Sequence, residues 1–398
     1  MQKDSFMIFK VENLGVIAKA EVDLSKDLIL LTGQNNTGKT YLAYAIYYFL
    51  NNNFGYFFSK ALENLYHIPN EKDLIPKVEQ ISNQKLIDLV YELRKEEKKT
   101  INILELVNEI IIPLKNEICQ KARDLFMEEH KLSDFFNSDL LSRTIFSINL
   151  SDSDILDNTL KFERKYASRS LFSNILLLKE ENSNEADLQL STIIRPVPIE
   201  EIASMFFSCL SKIVLNPNYN TYCFTAERSA INIFSRELTL LGDKIFRSKD
   251  SSLKKFADKR INRYSKPIID SLDIAGSLKE SSEEDSFFDH LAIELEKSLL
   301  KGKVSIGNFD DLQYKPKKMD QSLEIHLTSS LVKSLSPLAF YLRHLAQKND
   351  CIIIDEPELN LHPDNQILIA RFLGRLVNEG FKVVISTHSD YIIKEINN

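Results

Sequence analysis

A chain of 398 residues with 43% hydrophobic content can bury a sizeable core, as two or three average domains or as one large domain carrying insertions. Its net charge of −7 excludes a surface coated all over with basic residues, though not a local basic groove. The 4 cysteines, Cys119, Cys209, Cys223 and Cys351, lie far apart and form no C-x-x-C pair, so they indicate neither a zinc site nor a disulfide framework and predict buried thiols in a reducing compartment.

In chain order, Phe6 to Val11 predicts a strand, Glu12 to Gly15 a loop, and Ala18 to Leu24 a second strand of alternating apolar and charged residues. The apolar run Leu28 to Leu31 reads as a buried strand closed by Thr32. Gly33, Gln34, Asn35, Asn36, Thr37, Gly38, Lys39 and Thr40 then fit G-x-x-x-x-G-K-[ST], and helix-like sequence follows from Tyr41 to Leu50. That strand–loop–helix order is what a phosphate-binding loop requires. The glycines let the backbone curl around an anion, Lys39 reaches the β- and γ-phosphates, and the Thr40 hydroxyl ligates Mg²⁺. The chain is expected to bind a nucleoside triphosphate. The helix after the loop is apolar on nearly every face, which predicts burial between layers.

From Asn51 to Leu210 glycine disappears after Gly55, and apolar residues recur at i, i+3 and i+4, as in Leu86, Ile87, Leu89, Val90 and Leu93. This predicts a largely helical insertion. Arg94 to Lys99 has mixed sign and reads as a solvated helix end, and Ser147–Asp157 and Glu180–Asp187 read as loops.

Strand-like sequence returns at Tyr222 to Phe224 and runs into Thr225 to Ser229. The pair Glu227 and Arg228 either faces a ligand crevice or forms a structural ion pair, and spacing does not decide between them. Ser235 to Tyr264 reads as a charged helix. Asp285 to Leu300 reads as an amphipathic helix with Phe287, Phe288, Leu291, Leu295 and Leu299 on one face. Val304–Ile306 and Leu323–Leu327 are expected to pair as a hairpin. Thr328, Ser329 and Ser330 precede a helical pattern through Leu331, Leu335, Leu338, Leu342 and Leu345. Their hydroxyls suit N-capping, and the same geometry suits a phosphate carried by a second protomer.

The apolar strand Cys351 to Ile354 ends in Asp355, Glu356, Pro357 and Glu358. An acid at that tip holds Mg²⁺ beside the phosphate loop, and the acid after it activates water, so Asp355 takes the metal and Glu356 the general-base role, with Glu358 less suited as base. Asp364 to Val377 predicts a helix, with Pro363 before it and Gly380 after it. Lys382 to Ser386 predicts a buried strand that delivers Thr387, His388, Ser389 and Asp390 to the same sheet edge, where His388 can bond the γ-phosphate or the attacking water.

Together, ILLTGQNNTGKT, IIIDEPELNLHP and VVISTHSDY resemble the ABC-type ATPase heads of the SMC, RecF and OLD-like group. They look most like bacterial AAA-family stand-alone ATPases of anti-phage defence systems such as Septu, PARIS and the retron-associated ATPases. The resemblance covers roughly the first 50 and last 190 residues. It implies an α/β P-loop ABC-ATPase head with a mixed β-sheet, split into 1–50 and 211–398 and interrupted by the helical insertion 51–210, which would make partner or dimer contacts. It implies ATP and Mg²⁺ as cofactors, nucleotide contacts from Gly33, Asn35, Asn36, Thr37, Gly38, Lys39 and Thr40, metal contacts from Thr40 and Asp355, and catalysis by Glu356 and His388. Ser329 and Ser330 would be signature serines reaching the opposite protomer's γ-phosphate, although Leu331 stands where the signature has glycine. The glutamine that usually senses Mg²⁺ has no assigned counterpart here.

The implied activity is ATP hydrolysis. The implied partners are a second copy, as a homodimer or higher oligomer, and a separate effector protein, a nuclease or toxin. A DNA repair or recombination ATPase acting on duplex DNA and a non-hydrolysing ATP-dependent scaffold are the alternatives. No run of about 18 apolar residues and no leader pattern occur, so the reading is cytoplasmic without a membrane partner. No nuclease domain follows His388 before Asn398, so nuclease activity is expected to lie elsewhere or to be absent.

Overall fold

The computed structural model describes residues 7–51, 144–149, 220–231, 287–307 and 312–398, with short pieces at 100–102, 123, 170–172, 175–179, 186–190, 267–268 and 270–271. The strands in chain order are β1 (Ile8–Leu14), β2 (Ile17–Asp23), β3 (Leu28–Thr32), β4 (Thr100–Asn102), β5 (Ile145–Asn149), β6 (Ser170–Phe172) and β7 (Ile175–Lys179). They continue as β8 (Ala186–Leu190), β9 (Thr221–Phe224), β10 (Gly302–Ile306), β11 (Leu312–Pro316), β12 (Leu323–Glu324), β13 (Cys351–Asp355) and β14 (Lys382–Thr387). The principal helices are α1 (Lys39–Leu50), α2 (Asp289–Leu295), α3 (Ser330–His344), α4 (Pro363–Asn378) and α5 (Asp390–Ile396).

The centre is a parallel sheet in the order β3–β14–β13–β9. Its strands read as uninterrupted apolar runs because helices or a second sheet cover both faces. Along β13 and β14 every residue is buried. Successive side chains alternate: Ile352, Ile354, Val383 and Ile385 join a core with Leu291, Leu335, Ile369 and Leu373 from α2, α3 and α4. Ile353 and Val384 fall on the other face. The helix α1 packs against all four parallel strands and against β1. Phe49 stacks on Phe9 at 4.9 Å, and Phe9 meets Phe146 edge-on at 5.6 Å. Burial of every residue from Ala43 to Leu50 matches the apolar character of that helix.

Antiparallel strands form separate sheets, β2–β1–β5, β10–β11–β12 and β4–β8–β7–β6. The α/β architecture expected from the sequence is therefore present, with parallel and antiparallel pairings in different sheets. Within 51–210 the described residues include β4 to β8, and β5 pairs with β1 of the head. Ser147–Asn149 and Ala186–Asp187, read as loop, are strand. The rest of that segment, and with it the expected helices there and at Ser235–Tyr264, lies outside the described residues.

Two local readings are corrected. Val304–Ile306 does not pair with Leu323–Leu327: β11 lies between them, bonded to β10 on one side and β12 on the other. Lys315 and Pro316, with Lys317 just beyond, made β11 read as a polar turn, yet Leu312 and Tyr314 alternate inward and are buried. Phe287 is 84% exposed rather than part of the apolar face, because regular helix begins only at Asp289.

Candidate functional site

The site lies beyond the carboxyl ends of β3, β14 and β13, where open α/β sheets place their ligands. From β3 the chain enters the exposed loop 33–38 and then α1. Gly38, the residue before the helix, has φ 87°, and a Cβ there would lie 2.7 Å from Ile17 Cγ1. Only glycine satisfies both the left-handed backbone and the close approach of the β1–β2 turn. Asn36 also takes positive φ. Lys39 Nζ donates to the carbonyls of Gly33 at 2.9 Å and Gln34 at 2.7 Å, so the ammonium sits over the loop. Thr37 Oγ1 donates to Gln34 O at 2.8 Å. A curled, exposed loop opening a 12-residue helix and carrying one ammonium suits a polyphosphate.

The tip of β13 reaches the same place. Thr40 Oγ1 lies 3.2 Å from Asp355 Oδ1 and 3.0 Å from Oδ2, and Ser386 Oγ of the neighbouring strand also donates to Asp355. Asp355 is buried, and that burial raises its carboxyl above the usual range; the Ser386 and Thr40 hydroxyls pull it down, and the Glu356 and Glu227 charges push it up. One carboxylate and one hydroxyl are hard oxygen donors of the kind Mg²⁺ accepts while keeping water and phosphate oxygens as its other ligands. Among the described residues no cluster of three or more His, Cys, Asp or Glu forms an all-protein metal cage, and a Mg²⁺ shared with phosphates does not need one.

Glu356 has φ 48°, a left-handed conformation rare for a side chain of this size. Its amide donates to Ser386 O at 2.9 Å, which ties the turn to β14. Strain of this kind is characteristic of functional sites and costs about 1–3 kcal/mol. His388 follows β14, with Nδ1 3.7 Å from Glu356 Oε1 and 3.2 Å from Glu358 Oε1.

Glu358 is a residue whose role the sequence reading missed. It is buried, and its Oε1 accepts from the Thr387 hydroxyl at 2.7 Å and from the His388 amide at 2.8 Å. With Nδ1 of His388 also beside it, this carboxylate fixes the ring's direction and favours a proton on Nδ1.

Arg228 is the other. It is buried, and burial lowers its pKa while the neighbouring Asp355, Glu358, Glu356 and Glu227 charges raise it. Its guanidinium donates to Thr225 O at 3.0 Å, Asp355 O at 2.7 Å, Glu356 O at 2.8 Å and Ser334 Oγ at 2.9 Å. The arginine follows neither of the two open readings for Glu227 and Arg228: it clamps the backbone of the β13 tip instead of facing a ligand or pairing with Glu227. The bond to Ser334 also joins that tip to α3.

Ser329 is the N-cap of α3, its hydroxyl accepting from the Val332 amide at 3.4 Å, and Ser330 begins the helix; both are exposed. The capping role is present. Lys39, Thr40, Asp355, Glu356 and His388 thus meet at one sheet edge, and among the described residues neither Ser329 nor Ser330 hydrogen-bonds to any of them. Cys223 and Cys351 are buried free thiols on paired strands. Burial pushes the Cys351 thiol up to about 12.

The chain matches the family model described as AAA ATPase domain over residues 7–393, and it belongs to that family. A search among curated proteins finds no match. Among the described residues no helix is long and apolar enough to cross a membrane.

Proposed function

We propose that this protein is an ATP-driven switch that hydrolyses ATP with Mg²⁺ and controls a separate effector. The observation that carries the reading is the convergence of the Gly33–Thr40 loop, the Thr40–Asp355 contact, Glu356 and His388 at the end of one parallel sheet. The loop and Lys39 bind the triphosphate, and Thr40 and Asp355 hold the metal. Bound Mg²⁺ supplies charge neutralisation on the β- and γ-phosphate oxygens. Glu356, at the strained turn, accepts the proton of the attacking water. His388, oriented by Glu358, donates a hydrogen bond to the γ-phosphate or to that water. Arg228 holds the β13 tip in register.

Two copies would each complete the other's site through Ser329 and Ser330, so that ATP closes a dimer or higher oligomer and hydrolysis opens it. The effector is a nuclease or toxin of anti-phage defence, acting in the cytoplasm; this rests on the resemblance of the motifs at 33–40, 351–358 and 386–389 to stand-alone defence ATPases. Segment 51–210 carries the motion to that partner. The test is the oligomeric state of Glu356→Gln with and without ATP, by light scattering after size exclusion. Assembly only with ATP is expected; the same state in both conditions overturns the switch.

A further inference from the structure

Away from the nucleotide crevice, α2, the π-helical turn Glu296–Leu300 and the ribbon β10–β11 border an open cavity of about 1220 Å³. Lys297, Lys301, Lys303, Lys315 and Lys317 line it, and all five are exposed. Among the described residues none of the five forms an ion pair, and the Lys301 ammonium donates to the Lys297 carbonyl at 3.3 Å. The acids beneath them are engaged by a different cation. Arg343 donates to Asp289 at 2.8 Å and to Glu296 at 3.0 Å, which leaves Asp320 as the one acid of the lining that it does not neutralise.

The lysines do not serve the ribbon's own stability. Lys303 and Lys315 are direct cross-strand partners, and like charges so placed destabilise a sheet. Nor is the edge of β10 open for strand addition. The Val304 amide donates to Glu296 at 2.6 Å, and the Val304 carbonyl accepts from Arg343 at 2.9 Å. Recognition at this groove therefore falls to side chains, and these are of two kinds. Beside the ammoniums, the lining includes Ile293, Pro316, the 46% exposed Met319 and the half-buried His344 ring, which lies 4.8 Å from that of Phe340.

We propose that this groove docks an acidic segment of a partner protein, with carboxylates on the lysines and an apolar side chain against Ile293 and Met319. The inference goes beyond the effector-switch reading and does not rest on it. Charge complementarity selects the acid. Five lysines and one arginine face three acids in the lining, so a chain of net charge −7 concentrates positive charge here against its overall balance. The apolar members select a polypeptide. A phosphate backbone offers nothing to Ile293, Pro316 or Met319, whereas a protein segment carries charged and apolar side chains on one stretch, the mixture that interfaces use. Attraction between the lysines and the acidic segment steers the encounter, and salt screens it.

The test is fluorescence anisotropy of the full chain with short labelled peptides of one sequence, rich in glutamate around a central leucine, in which the glutamates are kept, changed to glutamine or changed to lysine. Wild type is expected to bind the glutamate peptide at least about tenfold more tightly than the glutamine peptide, and less tightly as salt rises. Lys303→Glu/Lys315→Glu should weaken the glutamate peptide by a similar factor and tighten the lysine peptide. Met319→Ala should weaken the glutamate peptide about threefold through the lost apolar contact. ATP binding and thermal stability should be unchanged in both variants, which separates this result from failure of the ATPase reading. Equal binding of the glutamate and glutamine peptides, binding of neither, a glutamate peptide that the double variant still holds, or a DNA duplex of matched charge that binds the same lysines more tightly overturns the proposal.

Discussion

Thr40 and Asp355 stand 315 positions apart in the chain, yet the threonine hydroxyl lies 3.0 Å from Asp355 Oδ2. The contact follows from strand order: β3 and β13 flank β14, so the loop after one and the acid ending the other lean over the same strand. Ser386, on that middle strand, completes the bracket around the carboxylate.

The bracket does not offset the burial of Asp355, whose carboxyl remains raised. An acid raised in the folded state costs folding free energy at every pH above its folded value, and the cost fades as pH falls towards its unfolded value. Asp355→Asn is therefore expected to raise the Tm of the nucleotide-free protein at neutral pH, with the gain shrinking as the solution is acidified. Thermal unfolding across pH checks the sign. The same variant should lose Mg²⁺-dependent ATP turnover, the usual exchange of stability against function.

Glu358 acts through His388. Glu358→Gln keeps the side chain's volume but removes the charge beside Nδ1, so kcat for ATP hydrolysis should fall about 10–100-fold with KM little changed. A purely structural role would instead lower Tm and leave the kcat/KM split of the remaining folded enzyme intact. Steady-state kinetics beside thermal unfolding separates the two.

Arg228 satisfies three carbonyls and one hydroxyl in a buried setting. Arg228→Ala takes this donor from the Asp355 and Glu356 carbonyls and the Ser334 hydroxyl, whereas Thr225 O keeps the backbone amide of residue 228 at 3.1 Å; at about 1–3 kcal/mol for each group left buried, a loss of at least about 3 kcal/mol is expected in urea unfolding. Arg228→Lys should recover only part of it, because one ammonium cannot span acceptors on Thr225, Asp355, Glu356 and Ser334.

The chemistry-bearing loops were legible because each is a short contiguous motif with a strand before it. Gly33–Thr40, Asp355–Glu356 and Thr387–His388 carry their own context, and buried parallel strands announce themselves as apolar runs. What depended on three-dimensional neighbours was not legible. Glu358 reads as a second-choice base until β13 and β14 are set in register and its carboxylate meets Thr387 and His388. Arg228 needs the β9–β13 pairing to reach the carbonyls of Asp355 and Glu356. The strand β11 hid behind Lys315, Pro316 and Lys317, since a two-residue apolar alternation in a lysine-rich stretch gives little signal.

Whether Lys39 and Glu356 serve one triphosphate is tested most directly by measuring ATP binding and turnover in Lys39→Ala and Glu356→Gln beside the wild type. Glu356→Gln is expected to keep ATP affinity and lose turnover at least ~10²-fold, and Lys39→Ala to lose turnover by a similar factor with weakened binding. Wild-type turnover in Glu356→Gln, or in Lys39→Ala, would contradict the account.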